Sequence, residues 1–244
     1  MLRKLLYMGT RGLVKLYSRL MFDLDVLWKE AMPEGAKIVA PNHPTTIDPF
    51  LVASLFPGEP RVLIDETLFK VPFGGTLLRL LEQVPVIPGY GRIAYETAKW
   101  LLDTGHTVVV FPEGHVSPPE GGLCPLHTGV VRLALETDAP IIPVGIHLDR
   151  ARVRVLETRV DGEAEVGTWY LRGPYVMTVG EVHRPVGTVD DRPRVRQLTE
   201  HLMINLTYLM QESAERAVQK AQRPTFAAGL PKPESGVGKK AALS

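Results

Sequence analysis

The sequence predicts an α/β domain, a central sheet with flanking helices, and three observations carry that prediction. Short apolar runs at Lys37 to Ala40, Thr107 to Phe111 and Ala139 to Ile146 read as buried strands. Segments whose apolar residues recur at helical intervals lie between them, so strand, helix and strand alternate as they do across a sheet with right-handed crossovers. The first run also stops at Pro41 and passes into a helix pattern opening at Asp48-Pro49. Polar residues therefore collect in a strand-to-helix loop, where α/β proteins place their chemistry.

Taken in order, residues 1–27 read as an amphipathic helix. Leu5, Leu6, Leu13, Val14, Leu16 and Leu20 recur at helical intervals, with Arg3, Lys4, Arg11, Lys15 and Arg19 between them. No apolar run approaches the ~20 residues of a membrane span, and neither a long apolar core nor a small-residue cleavage site marks a secretory signal. A basic amphipathic helix suits the membrane interface, apolar face inward and cations toward headgroups. The same pattern fits a helix packed on a core. Asp25 to Gly35 reads as a connection into the first strand. At Asp48 the carboxylate is expected to cap free N–H groups, with Pro49 in the first turn.

Arg61 to Ile64 and Val84 to Ile87 are further short strands, and Phe69 to Leu81 is an apolar segment turning helical, expected to pack in the core. Pro88 to Arg92 forms a turn whose two glycines lack the spacing of a phosphate loop. Ile93 to Asp103 and Gly129 to Glu136 are helices, and Ser117 to Gly122 is a loop. Beyond Ile146, Arg152 to Val155 and Tyr175 to Val179 alternate polar and apolar like half-exposed strands, with a hairpin-like insertion over 157–168. Arg150, Arg152 and Arg154 make a basic cluster that suits headgroups, CoA phosphates or a solvated strand face. Asp190 to Lys220 is a long amphipathic helix, and Pro, Gly, Ala, Ser and Lys dominate from Arg223 onward. The division that follows is a membrane-associating helix over 1–27, a main domain over 28–222 and a disordered tail over 223–244.

His43 stands in the loop and Asp48 at the helix mouth, five residues on. Neutral imidazole is the usual general base near pH 7, and it works best with one ring nitrogen held by an acceptor. A carboxylate there fixes the tautomer and stabilises the imidazolium. No Ser or Cys stands beside His43 as a nucleophile, so the proton would come from a substrate hydroxyl. On the pair alone, a capping Asp beside an ordinary loop His is the reading such a common spacing favours.

Three blocks together resemble the glycerolipid acyltransferase family, whose type member is lysophosphatidic acid acyltransferase. Asn42, His43 and Asp48 match its His-x4-Asp block, Phe111 to Gly114 its Phe-Pro-Glu-Gly block, and Pro140 to Val144 its Pro-Ile-x-Pro-Val strand. The resemblance implies a glycerol-3-phosphate acyltransferase-like α/β fold, its central sheet mixed and flanked by helices. It implies acyl transfer from acyl-CoA or acyl carrier protein to a lipid hydroxyl, without an acyl-enzyme and without metal or bound cofactor. His43 and Asp48 inherit the catalytic roles, and Asn42, Arg92, Glu113, Gly114 and His115 are the expected substrate-binding residues. It also implies work at the cytoplasmic face of a membrane, as a peripheral or monotopic protein.

Three positions depart from the family pattern. His115-Val116-Ser117 stands where the family has Thr-Arg-Ser, Pro88 where it has an Arg, and a Lys is missing near Leu126 to Gly129. In the family those cations hold the acceptor's phosphate, and Val116 lacks the planar fork that does so. Two readings stay open: Arg92, His115, His127 or Arg132 rebuild a phosphate site, or the acceptor carries no phosphate, as a glycolipid, sugar or amino-acid lipid would. A catalytically silent lipid- or thioester-binding protein, and a thioester hydrolase, are the rival classes.

Composition narrows the field further. At 244 residues and 45% hydrophobic content the chain has material for one full core. A formal net charge of +1 argues against a dedicated nucleic-acid binder. Cys124 is the single cysteine, which excludes an intrachain disulfide and a cysteine-based zinc site. His106, His147, His183 and His201 have no metal-ligand spacing to a partner.

Overall fold

A computed structural model describes residues 2–160 and 163–222. The tail expected at 223–244 lies outside the described residues.

The run at Lys37–Pro41 is β2, buried at all five positions and fourth of seven strands in the main sheet. Its pleat sends Val39 to one core cluster and Ile38 and Ala40 to another. Pro41 sits inside the strand; it pairs with Val144 of β6 (Ile141–Leu148). On β2's other side run β5 (Thr107–Val109), then β3 (Arg61–Asp65), then β4 (Val84–Val86), all parallel. β6 pairs antiparallel with β9 (Gly173–Val179), which pairs parallel with β1 (Phe22–Trp28) at the edge. The sheet is mixed, as the resemblance implies.

Five parallel strands put the carboxyl ends of β6, β2, β5, β3 and β4 on one edge of the sheet. The loops that leave that edge lead into α2 (Asp48–Leu55), α3 (Glu66–Lys70), α5 (Gly91–Asp103) and α6 (Gly129–Thr137). Helix α4 (Gly74–Leu80) follows α3, and α7 (Arg192–Gln222) lies across β6 and β9. Gly145 permits the last contact: a Cβ there would come within 2.2 Å of the Leu209 main chain.

Residues 22–28 correct the expected boundary at 27. The amphipathic helix α1 (Leu2–Met21) ends at Met21, and Phe22 begins β1. Alternation in Phe22-Asp23-Leu24-Asp25-Val26 is the period of a strand, and Phe22 and Leu24 turn into the core. The insertion is a hairpin of β7 (Arg154–Val160) and β8 (Glu163–Trp169), outside the main sheet.

Helix α1 has two distinct faces. Tyr7 and Ser18 are buried, and Arg11 donates to the Ser54 carbonyl at 2.9 Å, fixing the helix on α2. Leu5, Met8, Leu13, Leu16 and Leu20 are exposed on the other side. No described helix is long and apolar enough to cross a membrane.

Candidate active site

The loop after β2 is held at every residue that matters. Asn42 is fully buried; its Nδ2 donates to the Ile146 carbonyl at 3.1 Å and its Oδ1 accepts from the Ile146 N–H at 2.6 Å. That side chain extends the β2–β6 ladder by one more pair. Expected among the substrate-binding residues, it is bonded here at both ends of its amide to the Ile146 main chain and braces the loop.

His43 comes next, with 14% of its side chain exposed. Its ring lies on Phe111, centroids 4.1 Å apart. The His43 N–H donates to Glu113 Oε1 at 2.9 Å, and the His43 carbonyl accepts from the Ser117 N–H at 2.7 Å. Nδ1 lies 3.1 Å from Asp48 Oδ2. Among the described residues Nε2 has no hydrogen-bond partner, so the ring is held from behind and free in front.

Asp48 is fully buried and accepts four hydrogen bonds. Oδ2 takes the Thr45 N–H at 2.6 Å and His43, while Oδ1 takes the Thr45 hydroxyl at 2.7 Å and the Tyr175 hydroxyl at 2.5 Å. A buried carboxylate requires such donors to offset its desolvation. The expected capping role is corrected here. Ile47 holds the N-cap position of α2 without a side-chain bond, and the Asp48 carboxylate turns back over the turn at Thr45. It reaches back to an upstream N–H as the acidic half of a capping box does.

Glu113, also fully buried, ties three segments together. Oε1 accepts from His43 N–H and from the Ser117 hydroxyl at 2.7 Å, and Oε2 accepts from the Cys124 N–H at 2.8 Å. All three of these bonds come from protein, so the carboxylate braces the site geometry. Gly114 has φ +74°, a conformation that favours glycine, and a Cβ there would push against the exposed His127 ring at 2.9 Å. Burial and Glu113 push the Cys124 thiol up from its ordinary pKa, which suits an inert thiol.

The two remaining expected binding residues stand apart. His115 is exposed, with Nδ1 3.2 Å from the Val116 carbonyl. Arg92 opens α5, is 88% exposed and pairs with Glu96 at 3.7 Å. It lines an open cleft of about 600 Å³ with Arg132, Glu96 and Glu136. β4, which precedes it, is three strands from β2, roughly 14 Å at ordinary strand spacing.

Sequence reasoning missed Thr45, Tyr175 and Ser117. Tyr175 is fully buried on β9, and burial, reinforced by Asp48, pushes its hydroxyl well above the ordinary tyrosine pKa, so it remains a donor. The loop is clamped from outside by the β7–β8 hairpin: Thr46 N–H donates to the Thr168 carbonyl at 2.7 Å, and Thr168 N–H to the Thr46 hydroxyl at 3.0 Å. Among the described residues no group of three or more His, Cys, Asp or Glu lies close enough to hold a metal.

Residues 23–147 match the family described as Acyltransferase. The 1-acyl-sn-glycerol-3-phosphate acyltransferase of Saccharomyces cerevisiae is 28% identical over 127 residues, 50% of this chain and 42% of the yeast protein. The coconut (Cocos nucifera) protein of the same name is 28% identical over 114 residues, 44% of this chain and 37% of its own. A putative 1-acyl-sn-glycerol-3-phosphate acyltransferase of Caenorhabditis elegans, acl-2, is 29% identical over 123 residues, 48% of this chain and 43% of the worm protein. The matches thus span about two fifths of these relatives' length. Among solved structures, the 1-acyl-sn-glycerophosphate (LPA) acyltransferase PlsC from Thermotoga maritima superposes with a TM-score of 0.62 at 21% identity, covering 88% of this chain and 81% of that one. This last likeness is one of fold.

Proposed function

The chain belongs to the acyltransferase family, and from that premise we propose that it moves an acyl group from an acyl thioester, acyl-CoA or acyl carrier protein, to a lipid hydroxyl. His43 is the general base. Its Nε2 takes the hydroxyl proton while Asp48 holds Nδ1–H and stabilises the imidazolium. The alkoxide attacks the thioester carbonyl, the tetrahedral adduct collapses with loss of the thiolate, and the imidazolium returns the proton to sulfur. Glu113 contributes by fixing the His43 main chain. The observation that carries the reading is the dyad itself: Nδ1 at 3.1 Å from a fully buried, four-fold bonded carboxylate, with Nε2 unpartnered beside it.

The lipid acceptor is reached from a membrane surface. The exposed leucines of α1, beside Lys4, Lys15 and Arg19, support docking in the interface by that face while Tyr7 and Arg11 keep the helix on the domain. A cavity of about 70 Å³ bounded by Tyr7, Val14, Phe50, Ala53, Leu77 and Leu78 lies where α1, α2 and α4 meet. It is an apolar seat for part of an acyl chain, and it gives the Phe69 to Leu81 segment a use beyond packing.

Thiol release from a long-chain acyl-CoA and from an acyl carrier protein thioester, with products separated by mass, tests the reading. Acylated lipid should appear with the natural chain and fall by about 10³-fold or more with His43→Ala, while circular dichroism keeps the folded spectrum at the assay temperature. Thiol release without acylated product would instead make the protein a hydrolase. No release across donors and acceptors would remove acyl transfer.

A further inference from the structure

Arg150 stands beside the dyad with no ion-pair or hydrogen-bond partner for its side chain among the described residues. β6 runs next to β2 and is locked to it through Asn42 and Ile146. Two residues later Leu148 pairs with Tyr175, whose hydroxyl sits on Asp48. The chain then leaves the sheet into a 3-10 turn, Arg150–Arg152, at the same edge as His43. Arg152 and Arg154 are exposed, and Arg152 pairs with Asp149 at 3.0 Å. Arg150 alone of the three is drawn inward, half-buried, with the carboxylates of Asp48, Glu113 and Glu120 acting on its guanidinium. Among the described residues it makes no ion pair and no side-chain hydrogen bond, and none of its nitrogens is both buried and unsatisfied. Its donors are open to whatever enters the site. Asp48 and Glu113 have their bonds filled elsewhere, so neither competes for the fork.

From this placement we infer that Arg150 binds a phosphate monoester carried by the acceptor, beside the hydroxyl that His43 deprotonates. The inference rests on the acyl-transfer reading above and adds to it a residue that selects a phosphorylated acceptor. A guanidinium presents paired donors that match phosphate oxygens. In a lysophosphatidic acid the free hydroxyl and the phosphate sit on neighbouring carbons, so a cation next to the dyad reaches the phosphate while His43 reaches the hydroxyl. The phosphates of CoA are separated from the thioester by the whole pantetheine arm and do not fit a cation this close to the reacting atoms. Arg92 and Arg132, in the separate cleft with Glu96 and Glu136, do not occupy that position. The cation missing at Val116 is thus supplied from β6 by a residue outside the three motif blocks.

The test is a ratio. kcat/KM is measured for lysophosphatidic acid and for monoacylglycerol, the same acceptor without phosphate, with acyl-CoA and with an acyl-N-acetylcysteamine thioester that carries no phosphate. The natural chain should prefer lysophosphatidic acid. Arg150→Met should collapse that preference on the order of 10- to 100-fold, chiefly through KM, and with both donors. Arg150→Lys should restore part of it. A structural role would lower both acceptors alike, and an unchanged ratio or a loss seen only with acyl-CoA would equally overturn the assignment. Lysophosphatidic acid binding to His43→Ala protein in mixed micelles, read by tryptophan fluorescence, separates this inference from acyl transfer itself. Tighter binding than monoacylglycerol, abolished in His43→Ala/Arg150→Met, supports Arg150 whether or not turnover is seen; equal binding overturns it.

Discussion

The sheet edge carries two polar regions that differ in kind. Over β2, β5 and β6, the carboxylates Asp48 and Glu113 are fully buried and between them accept seven hydrogen bonds, four and three respectively. Over β4, in the cleft between α5 and α6, charges pair with one another in solvent: Arg92 with Glu96, and Lys99 with Glu136 at 2.9 Å. Both regions combine Arg and Glu, and both look alike as residue types. Desolvation separates them. A buried carboxylate left with one donor too few costs about 1–3 kcal/mol for each bond lost, whereas an exposed pair contributes roughly 0–1 kcal/mol. Substitutions should therefore have steep consequences in the first region and slight ones in the second.

Glu113→Ala should show the largest effect. It leaves the Ser117 hydroxyl and the Cys124 N–H without their acceptor and the His43 N–H with only its longer bond, 3.3 Å to Ser117 Oγ, so we expect a loss of about 2–5 kcal/mol in urea denaturation. Activity at a temperature where the variant is still folded should fall by about 100-fold, because His43 loses the anchor on its main chain. Glu113→Gln keeps the shape but turns an N–H2 toward one of the N–H donors, and it should fall between the two. A Glu113→Ala protein with unchanged stability would remove the contrast between the regions.

Tyr175→Phe comes next. Phenylalanine fills the same volume on β9 and deletes one hydrogen bond from Asp48, whose Oδ1 still accepts from Thr45. The expected loss is about 1–2 kcal/mol of stability and about tenfold in kcat, with KM for the acceptor little changed. That split marks a positioning residue: Tyr175 acts on His43 through Asp48 and touches no substrate. Equal losses in kcat and KM would make it a general packing residue.

The same contrast explains what the sequence reveals and what it hides. β2, the His43 loop and α2 are legible because an apolar run, a proline and an Asp-Pro pair are local signals. The acceptor bonds on Asp48 are not local. Thr45 lies inside the motif but has the look of a loop residue, and Tyr175 is 127 positions away in a strand whose alternation says nothing about its hydroxyl. Arg150, Arg152 and Arg154 read as one stripe because strand alternation places them on one face, but a 3-10 turn intervenes and sends only Arg150 inward. β1 was masked by its neighbour: apolar residues of Phe22 to Trp28 continue the helical pattern well enough to hide a change of period at Met21. Arg92 and Asn42 show the converse: their place in or near the motif blocks suggests contact with substrate, and the fold turns one to solvent and the other into the sheet.

Arg92→Ala should be the smallest effect and the sharpest check on the comparison. Its guanidinium is 88% exposed, its partner Glu96 is one helical turn away, and the pair sits at the start of an exposed helix face. Removing it should change stability by no more than about 0.5 kcal/mol and kcat/KM for lysophosphatidic acid by no more than about twofold, at low and at moderate salt. The salt comparison matters because exposed cations attract anionic lipid at long range, and that attraction fades as the Debye length shortens. A loss present at low salt and gone at moderate salt would assign Arg92 to steering toward an anionic surface. A tenfold loss that persists in salt would bring the cleft over β4 into acceptor binding, and burial would then no longer be what separates the two regions.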